Sequence, residues 1–207
     1  MSVMRAVWDL AAPPRCAACD RPAAVVLCLD CADAAERLVL ADRGFLQLGE
    51  QIAAIGGFAY DGVIRDVVHR VKLSHRHAAA AGLSRMLFQL LDPPGWPVTW
   101  VPSRRRSRKE RGAEIPRLLA GVGAGRLLAV GEDRPDQTTL DARARRLAPA
   151  GSFRAVAAVP ERVVLVDDIR TTGATLTAAA SCLQSAGARR VLAVTLAVAD
   201  GAARPSA

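Results

Sequence analysis

The sequence predicts an α/β fold: a doubly wound, mainly parallel sheet with a small cysteine-rich appendage at its amino-terminal end. Short apolar runs rich in Val and Leu recur from about residue 97 onward, and helical patterns separate some of them. Continuous apolar runs are typical of strands buried on both faces, and their alternation with helices indicates a parallel sheet. Four cysteines near the start of the chain predict a separate small unit.

Length and composition limit what this chain can be. Its 207 residues, 51% apolar and 23% charged, suffice for one domain and an appendage but not for two full-sized domains or a mainly disordered protein. The longest apolar run near the end, residues 191–199, is half of what a membrane-spanning helix needs, and the first dozen residues lack the apolar segment of a secretory signal. We expect a cytoplasmic protein without a membrane partner, divided into residues 1–40, residues 41–200 and a flexible tail at residues 201–207.

The appendage contains two C-x-x-C pairs. Cys16 and Cys19 form the first, and Cys28 and Cys31 form the second after an eight-residue spacer. A two-residue gap lets both sulfurs of a pair face one centre, so the four thiolates predict a closed, structural zinc site that orders a segment too short for its own core. A redox dithiol, an iron–sulfur cluster and accidental spacing are the alternatives. Cys182, without a cysteine neighbour, is predicted to be a small core residue.

The elements of the main domain follow in order. A strand is predicted at residues 56–60 and a helical stretch at residues 64–91, broken around residues 74–77. Further strands are predicted at residues 97–101, 126–130, 163–166 and 191–198, and helices at residues 115–122 and 174–186, the last one capped by Gly187. Ligands of such sheets bind outside the carboxyl ends of the strands, so we expect the chemistry in the loops after Val101, Val130 and Val166.

Residues 163–175 read V-V-L-V-D-D-I-R-T-T-G-A-T and contain the parts of a ribose 5-phosphate site. Hydroxyls and backbone N–H groups where the helix begins would form a phosphate cradle from Thr171, Thr172, Gly173, Ala174 and Thr175, with the glycine permitting close approach. Asp167 and Asp168 would repel a phosphate but accept hydrogen bonds from sugar hydroxyls. The alternatives are an ordinary helix N-cap after a strand and a Walker B strand, although no G-x-x-x-x-G-K-[ST] loop precedes the segment.

This segment resembles the 5-phosphoribosyl 1-pyrophosphate (PRPP) binding signature of the type I phosphoribosyltransferases. From about Leu10 to Val198 the chain also resembles the ComF family of phosphoribosyltransferase-like proteins, which includes competence proteins and the GntX group and joins a four-cysteine knuckle to this domain. Three more segments are similar to family segments: Y-D-G-V-I-R-D-V-V-H-R-V-K at residues 60–72, V-P-S-R-R-R-S-R-K-E-R-G at residues 101–112, and Q-T-T-L-D-A-R-A-R-R-L-A-P-A-G-S-F at residues 137–153. The resemblance implies a sheet of the type I phosphoribosyltransferase kind.

The resemblance also implies two functional loops. The loop after Val101 would hold pyrophosphate through Pro102, Ser103, Arg104, Arg105, Arg106 and Arg111. A flexible loop containing Gln137, Arg143, Arg145 and Arg146 would close over the site. The charge distribution agrees, because residues 99–117 carry a net charge of +5 and residues 134–154 carry +3, which together make up the whole excess of +8. A solvated charged face is the alternative for Arg108, Lys109 and Arg117.

The chain departs from the family pattern beside these loops. The family has Phe-Asn-Gln where this chain has Ala113, Glu114 and Ile115, and it has a Glu and an Asn where this chain has Ala144 and Ala148. These positions belong to the acceptor side more than to the PRPP cradle. The sequence therefore supports PRPP binding better than turnover.

Two functions are compatible with these residues. In the first, an enzyme binds PRPP with Mg²⁺ and transfers the phosphoribosyl group to an unidentified acceptor. Asp167 and Asp168 would hold the ribose, while Arg104 and Arg105, with Arg106, would stabilise the departing pyrophosphate. In the second, a non-catalytic module acts with DNA-uptake proteins, binding single-stranded DNA through the basic loops or sensing PRPP. The aromatic content of 4% weakens the DNA alternative, because bases stack on aromatic rings.

Overall fold

A five-stranded sheet organises the computed structural model, which describes residues 14–73, 77–103, 114–131 and 152–199. Its strands lie in the order β1 (Leu46–Gly49), β2 (Ile52–Ala59), β7 (Arg190–Val198), β6 (Arg162–Arg170) and β3 (Val98–Trp100). β1 is antiparallel to β2, and the other neighbouring pairs are parallel. The predicted mainly parallel α/β sheet is confirmed, with an antiparallel edge strand that the sequence analysis missed.

Helices cover both faces of this sheet, as a doubly wound fold requires. After a short helix α1 (Leu29–Glu36), the chain forms α2 (Gly62–Leu73), α3 (His77–Leu91) and α4 (Ile115–Ala120) on one face and α5 (Ala174–Ser185) on the other. Ile64, Leu87 and Leu119 from the first group share a core cluster with Val164 and Val166 of β6. The second cluster joins Leu176 and Leu183 of α5 to Val163 and Leu165. None of these helices has the length and apolar character that crossing a bilayer requires.

Two strands are longer than the sequence analysis predicted. β2 begins at Ile52 instead of residue 56, and β6 continues to Arg170 instead of ending at residue 166. Both extensions come from pairing with β7, which matches Ile52 to Val191 at one end and Arg170 to Val198 at the other. A backbone ladder with a neighbouring strand leaves no trace in the apolar pattern of the strand itself.

The predicted strand at residues 126–130 exists, but its predicted place in the main sheet was wrong. It is β4 (Leu128–Val130), and it pairs antiparallel with β5 (Phe153–Ala155) in a separate two-stranded sheet. The loop after Val130 therefore does not follow a strand of the parallel sheet. A three-residue apolar run cannot distinguish these two placements, because both bury it.

Residues 14–40 pack directly on the helices of the main sheet. Cys16, Leu27 and Cys31 belong to the same core cluster as α2 and α3. Val26 lies so close to α3 that a Cβ added at Gly82 would meet its Cβ at 2.8 Å. The boundary at residue 40 stays a prediction, but the segments on either side of it share one core.

Candidate functional site

The acidic pair lies at the carboxyl end of β6. The apolar pattern predicts both carboxylates just after the strand, whereas the strand includes them and pairs Asp167 with Thr195 of β7. Oδ1 of Asp167 accepts the N–H of Asp168 at 2.8 Å, and Oδ1 of Asp168 accepts the N–H of Ile169 at 2.8 Å. These bonds to the next backbone N–H hold each carboxylate against the strand.

Asp167 is the more deeply buried of the two, with only 8% of the residue exposed. Burial, followed by the neighbouring charge of Asp168, raises the pKa of Asp167 well above its ordinary value. By strand alternation Asp167 lies on the same face of the sheet as Val163 and Leu165, which pack on α5. Asp167 therefore lies on the face of the sheet that α5, the helix opening with the threonine loop, covers.

Asp168 has a cationic partner that the sequence analysis did not identify. Nζ of Lys72, in the last turn of α2, lies 2.6 Å from its Oδ2, and the two side chains are only 22% and 14% exposed. One signal in the sequence could have found it. Ile64 and Val68 are buried and four residues apart, and Lys72 follows at the same spacing, so this lysine falls on the apolar stripe of α2.

The predicted cradle is a tight loop between β6 and α5. Gly173 has φ +82°, the left-handed conformation that glycine adopts without strain, and a Cβ there would meet Cδ2 of Leu48 at 2.8 Å. The N–H and the Oγ1 hydroxyl of Thr177 both donate to the carbonyl of Gly173, at 2.8 and 3.1 Å. The turn at Gly173 is thus held by hydrogen bonds from the first turn of α5 and is covered on one side by Leu48 of β1.

Three threonines of this loop face solvent. Thr171, Thr172 and Thr175 are exposed, Ala174 is half-buried, and Oγ1 of Thr172 accepts the N–H of Ala174 at 3.4 Å. Hydroxyls and N–H groups at the start of a 12-residue helix are suited to an anion. The structure therefore brings the predicted cradle and the predicted acidic pair to one edge of the sheet.

The structure describes only the start of the predicted pyrophosphate loop. Pro102 is buried and Ser103 half-buried, directly after β3, whose Trp100 pairs with Val166. The N–H of Ser103 donates to Oε1 of Glu114 at 3.0 Å, so one of the residues that depart from the family pattern anchors this loop's base. Outside the described residues lie Arg104, Arg105, Arg106 and Arg111 of this loop, Gln137, Arg143, Arg145 and Arg146 of the flexible loop, and Ala113, Ala144 and Ala148.

The four cysteines of the appendage form a compact cluster. Sγ atoms of Cys16, Cys19, Cys28 and Cys31 all lie within 4.8 Å of one another. Four sulfurs bound tetrahedrally to zinc at about 2.3 Å are about 3.8 Å apart, a spacing that this cluster could adopt with small side-chain shifts. The Cys19 and Cys28 sulfurs are 3.6 Å apart, well beyond a disulfide bond, and all five cysteines of the chain are free thiols. The predicted cysteines are arranged to bind a metal ion.

Arg21 neutralises part of the charge that such a cluster develops. Its Nε lies 3.4 Å from Sγ of Cys19, and its Nη2 lies 3.7 Å from Sγ of Cys28 and 2.5 Å from Oδ2 of Asp30. Hydrogen bonding from Arg21 lowers the pKa of the Cys19 thiol to about 6. Burial raises the pKa of Cys31, so these thiols differ in how readily they ionise before a metal binds.

Comparison with known proteins finds only weak similarity. No model of a known protein family matches the chain, and no curated protein matches it. Orotate phosphoribosyltransferase of Mycobacterium tuberculosis H37Rv is similar in two crystal structures. The complex with Fe(III) dicitrate has TM-score 0.36 and 18% identity over 80% of this chain and 81% of that chain. The complex with inorganic phosphate has TM-score 0.35 and 17% identity over 83% and 92%. The protein TT1426 from Thermus thermophilus has TM-score 0.29 and 23% identity over 58% and 81%. With scores this low, the functional inference depends on the residues of this chain.

Proposed function

We propose that this chain is a PRPP-binding, phosphoribosyltransferase-like protein of the ComF kind, which transfers a phosphoribosyl group to an acceptor and releases pyrophosphate. One observation supports this most. Two hydrogen-bonded carboxylates lie near the carboxyl end of a buried parallel strand, and a threonine and glycine loop that opens a helix begins three residues after the second of them. A phosphate cradle next to acceptors for sugar hydroxyls has the chemical parts that ribose 5-phosphate requires.

Each part has a distinct role in the proposed reaction. Hydroxyls and N–H groups of Thr171, Thr172 and Thr175 bind the 5-phosphate, and Asp167 and Asp168 accept hydrogen bonds from the ribose hydroxyls. With the sugar held at both ends, C1 stays fixed while its bond to pyrophosphate breaks and positive charge develops on the ring. Positioning and electrostatic stabilisation then supply the rate enhancement.

The acidic pair, Asp167 and Asp168, is also compatible with a ligand that binds together with Mg²⁺. Carboxylate oxygens are the ligands that Mg²⁺ prefers, but Asp167 is almost fully buried and Asp168 already faces Lys72. The ion would therefore be held mainly by pyrophosphate and ribose hydroxyls, with Asp167 and Asp168 acting on those hydroxyls. Its contribution would be to neutralise the pyrophosphate charge.

We propose zinc as the metal of the cysteine cluster, because four thiolates in a tetrahedron are a typical structural zinc site. All four protein ligands come from cysteines, which leaves no position for water or substrate. The metal would order residues 14–40 and take no part in the chemistry. Free thiols throughout the chain fit a reducing compartment, and we propose the cytoplasm.

The alternative, a DNA-uptake module that binds single-stranded DNA, depends on basic loops that lie outside the described residues. One described residue argues against it. Trp100, the aromatic side chain next to the first basic loop, is 6% exposed, and the guanidinium of Arg117 lies 5.7 Å from its ring centre. Its ring is therefore not available for stacking on a base.

Calorimetry with PRPP and Mg²⁺ tests the proposed function. We expect saturable binding by the wild type and a loss of about 100-fold or more in Asp167→Asn/Asp168→Asn, since each charge-assisted hydrogen bond contributes about 1.5–3 kcal/mol. Asp66→Asn, which removes an exposed carboxylate on α2, is the matched control and should bind normally. Absence of PRPP binding by folded, zinc-loaded wild type would overturn the proposal. The salt dependence of single-stranded DNA binding would then test the alternative.

A further inference from the structure

Helix α2 follows β2, yet its last turn brings Lys72 to Asp168 on β6, which is two strands away in the sheet. α2 begins at Gly62, three residues after β2 ends, while Asp168 lies on β6, with β7 between these strands. The last turn of α2 nevertheless places Nζ of Lys72 2.6 Å from Oδ2 of Asp168. The helix therefore begins just after the carboxyl end of β2 and ends against the carboxyl-terminal part of β6, at the edge of the sheet where ligands of such sheets bind.

Both oxygens of Asp168 are held from different directions. The N–H of Ile169 donates to Oδ1 at 2.8 Å, and Lys72 contacts Oδ2. Two partners on one carboxylate restrict rotation about its side-chain bonds. The remaining lone pairs can then meet a ligand hydroxyl in one defined orientation, which is what preorganisation of a binding site requires.

This ion pair differs from the surface pairs of the same chain. Arg189 and Glu161 lie 3.4 Å apart with side chains 79% and 68% exposed, whereas Lys72 and Asp168 are 22% and 14% exposed. Burying a lysine and an aspartate costs desolvation free energy, and an apolar pair of similar volume often stabilises a fold as well or better. The buried Lys72–Asp168 pair is therefore better explained by a function in binding than by a contribution to the stability of the fold.

We propose that Lys72 is a positioning residue of the ribose site, whose ammonium holds the Asp168 carboxylate in the orientation that accepts a ribose hydroxyl. This inference rests on the proposed function and adds a residue to its binding site. Lys72 acts through Asp168, so its effect should depend both on that carboxylate and on a hydroxyl in the ligand. Binding of the phosphate group in the threonine loop should not depend on it.

Calorimetry with two probes, ribose 5-phosphate and inorganic phosphate, tests the proposal on the full-length, zinc-loaded protein. Lys72→Met should weaken ribose 5-phosphate binding about tenfold or more, the loss expected for a misaligned charge-assisted hydrogen bond, and leave phosphate binding within about twofold. Lys72→Arg should recover most of the affinity. In the Asp168→Asn background, Lys72→Met should have no further effect, since the carboxylate through which it acts is gone.

The outcomes separate this inference from the proposed function. Wild type that does not bind ribose 5-phosphate would overturn both. If wild type binds ribose 5-phosphate, three results would overturn the role of Lys72 alone. Lys72→Met could bind as well as wild type, or it could lose affinity for both probes equally. It could also lose as much affinity in the Asp168→Asn background as in wild type. If Lys72→Met does not fold, as circular dichroism and melting would show, Lys72→Gln takes its place with the same expected and contradicting results.

Discussion

The cysteine cluster and the acidic edge of the sheet, which holds Asp167, Asp168, Lys72 and the threonine loop, are both small groups of polar side chains in an apolar protein. The chain assembles them differently. The four cysteines come from one short segment, residues 16–31, and their sulfurs lie within 4.8 Å of one another. The acidic edge needs α2 to deliver Lys72 to Asp168 and β1 to place Leu48 against Gly173. The first group comes from one short segment of the chain, whereas the second depends on the whole fold. Substitutions in the two groups should therefore have different consequences.

The largest effect is expected from removing one thiol of the cysteine cluster. Cys16→Ser should abolish stoichiometric metal binding, which contributes on the order of 10 kcal/mol in small zinc units, and should lower Tm by more than about 10 °C because Cys16 belongs to the main core cluster. Elemental analysis and thermal melting measure both effects. Cys182→Ser, at a cysteine outside the cluster, is the matched control and should keep the metal. A Cys16→Ser protein with full metal content would contradict the assignment.

A smaller loss of stability is expected from a side chain at Gly173. Gly173→Ala should destabilise by about 1–2 kcal/mol, the cost of a left-handed residue with a Cβ, with further strain against Leu48. Phosphate binding should weaken as well, because the turn must shift. Gly123→Ala, where an added Cβ meets nothing within 4 Å, should leave stability and binding unchanged. Equal melting temperatures for these two variants would show that the turn is not constrained as described.

Asp167 at the acidic edge should reduce the stability of the ligand-free fold, in contrast to the cysteine cluster. The raised pKa of Asp167 means that the folded state holds this proton more tightly than the unfolded chain does. Its contribution to folding is therefore most favourable below the ordinary pKa of about 4 and is lost as pH rises toward the folded-state value. Asp167→Asn should melt about 2–4 °C above wild type at neutral pH, the equivalent of about 1 kcal/mol. The difference should shrink as pH falls toward about 4, and denaturation at several pH values measures it. A difference that grows on acidification would contradict the assigned direction of the shift.

The smallest effect on folding is expected at Arg21, whose side chain is 60% exposed. Arg21→Ala should leave Tm and metal stoichiometry unchanged, but it removes the cation beside Cys19 and Cys28. We expect metal affinity to fall by about tenfold, as for other groups that support metal ligands. Competition with a chromophoric chelator measures this change, and Arg37→Ala, elsewhere on the appendage, is the control. Unchanged affinity would show that Arg21 does not support the thiolates.

The cysteine cluster and the acidic edge also show which features the sequence could predict and which it could not. The cysteine cluster, the carboxylates before a Thr-Gly turn and the helix after it were predicted because each depends on residues close together in the chain. β1, the pairing of β4 with β5 and the extension of β6 through Asp167 and Asp168 were missed because they depend on distant backbone partners. Lys72 ends the family-like segment at residues 60–72 and received no role from the sequence, although its spacing from Ile64 and Val68 places it on the apolar stripe of α2. The roles of the basic loops stay predictions.

The shared core of residues 14–40 and α2 has a thermodynamic consequence. Cys16 and Cys31 pack in one cluster with Val67, Val68 and Val71 of α2, the helix that ends by placing Lys72 on Asp168. If a metal bound to the cysteines stabilises this helix, it also stabilises the position of Lys72 and therefore favours ligand binding at the acidic edge. Coupling of this kind is reciprocal: a bound ligand would raise the metal affinity by the same factor by which the metal raises the ligand affinity. Metal supply to the cell would then set how much of this protein is competent to bind.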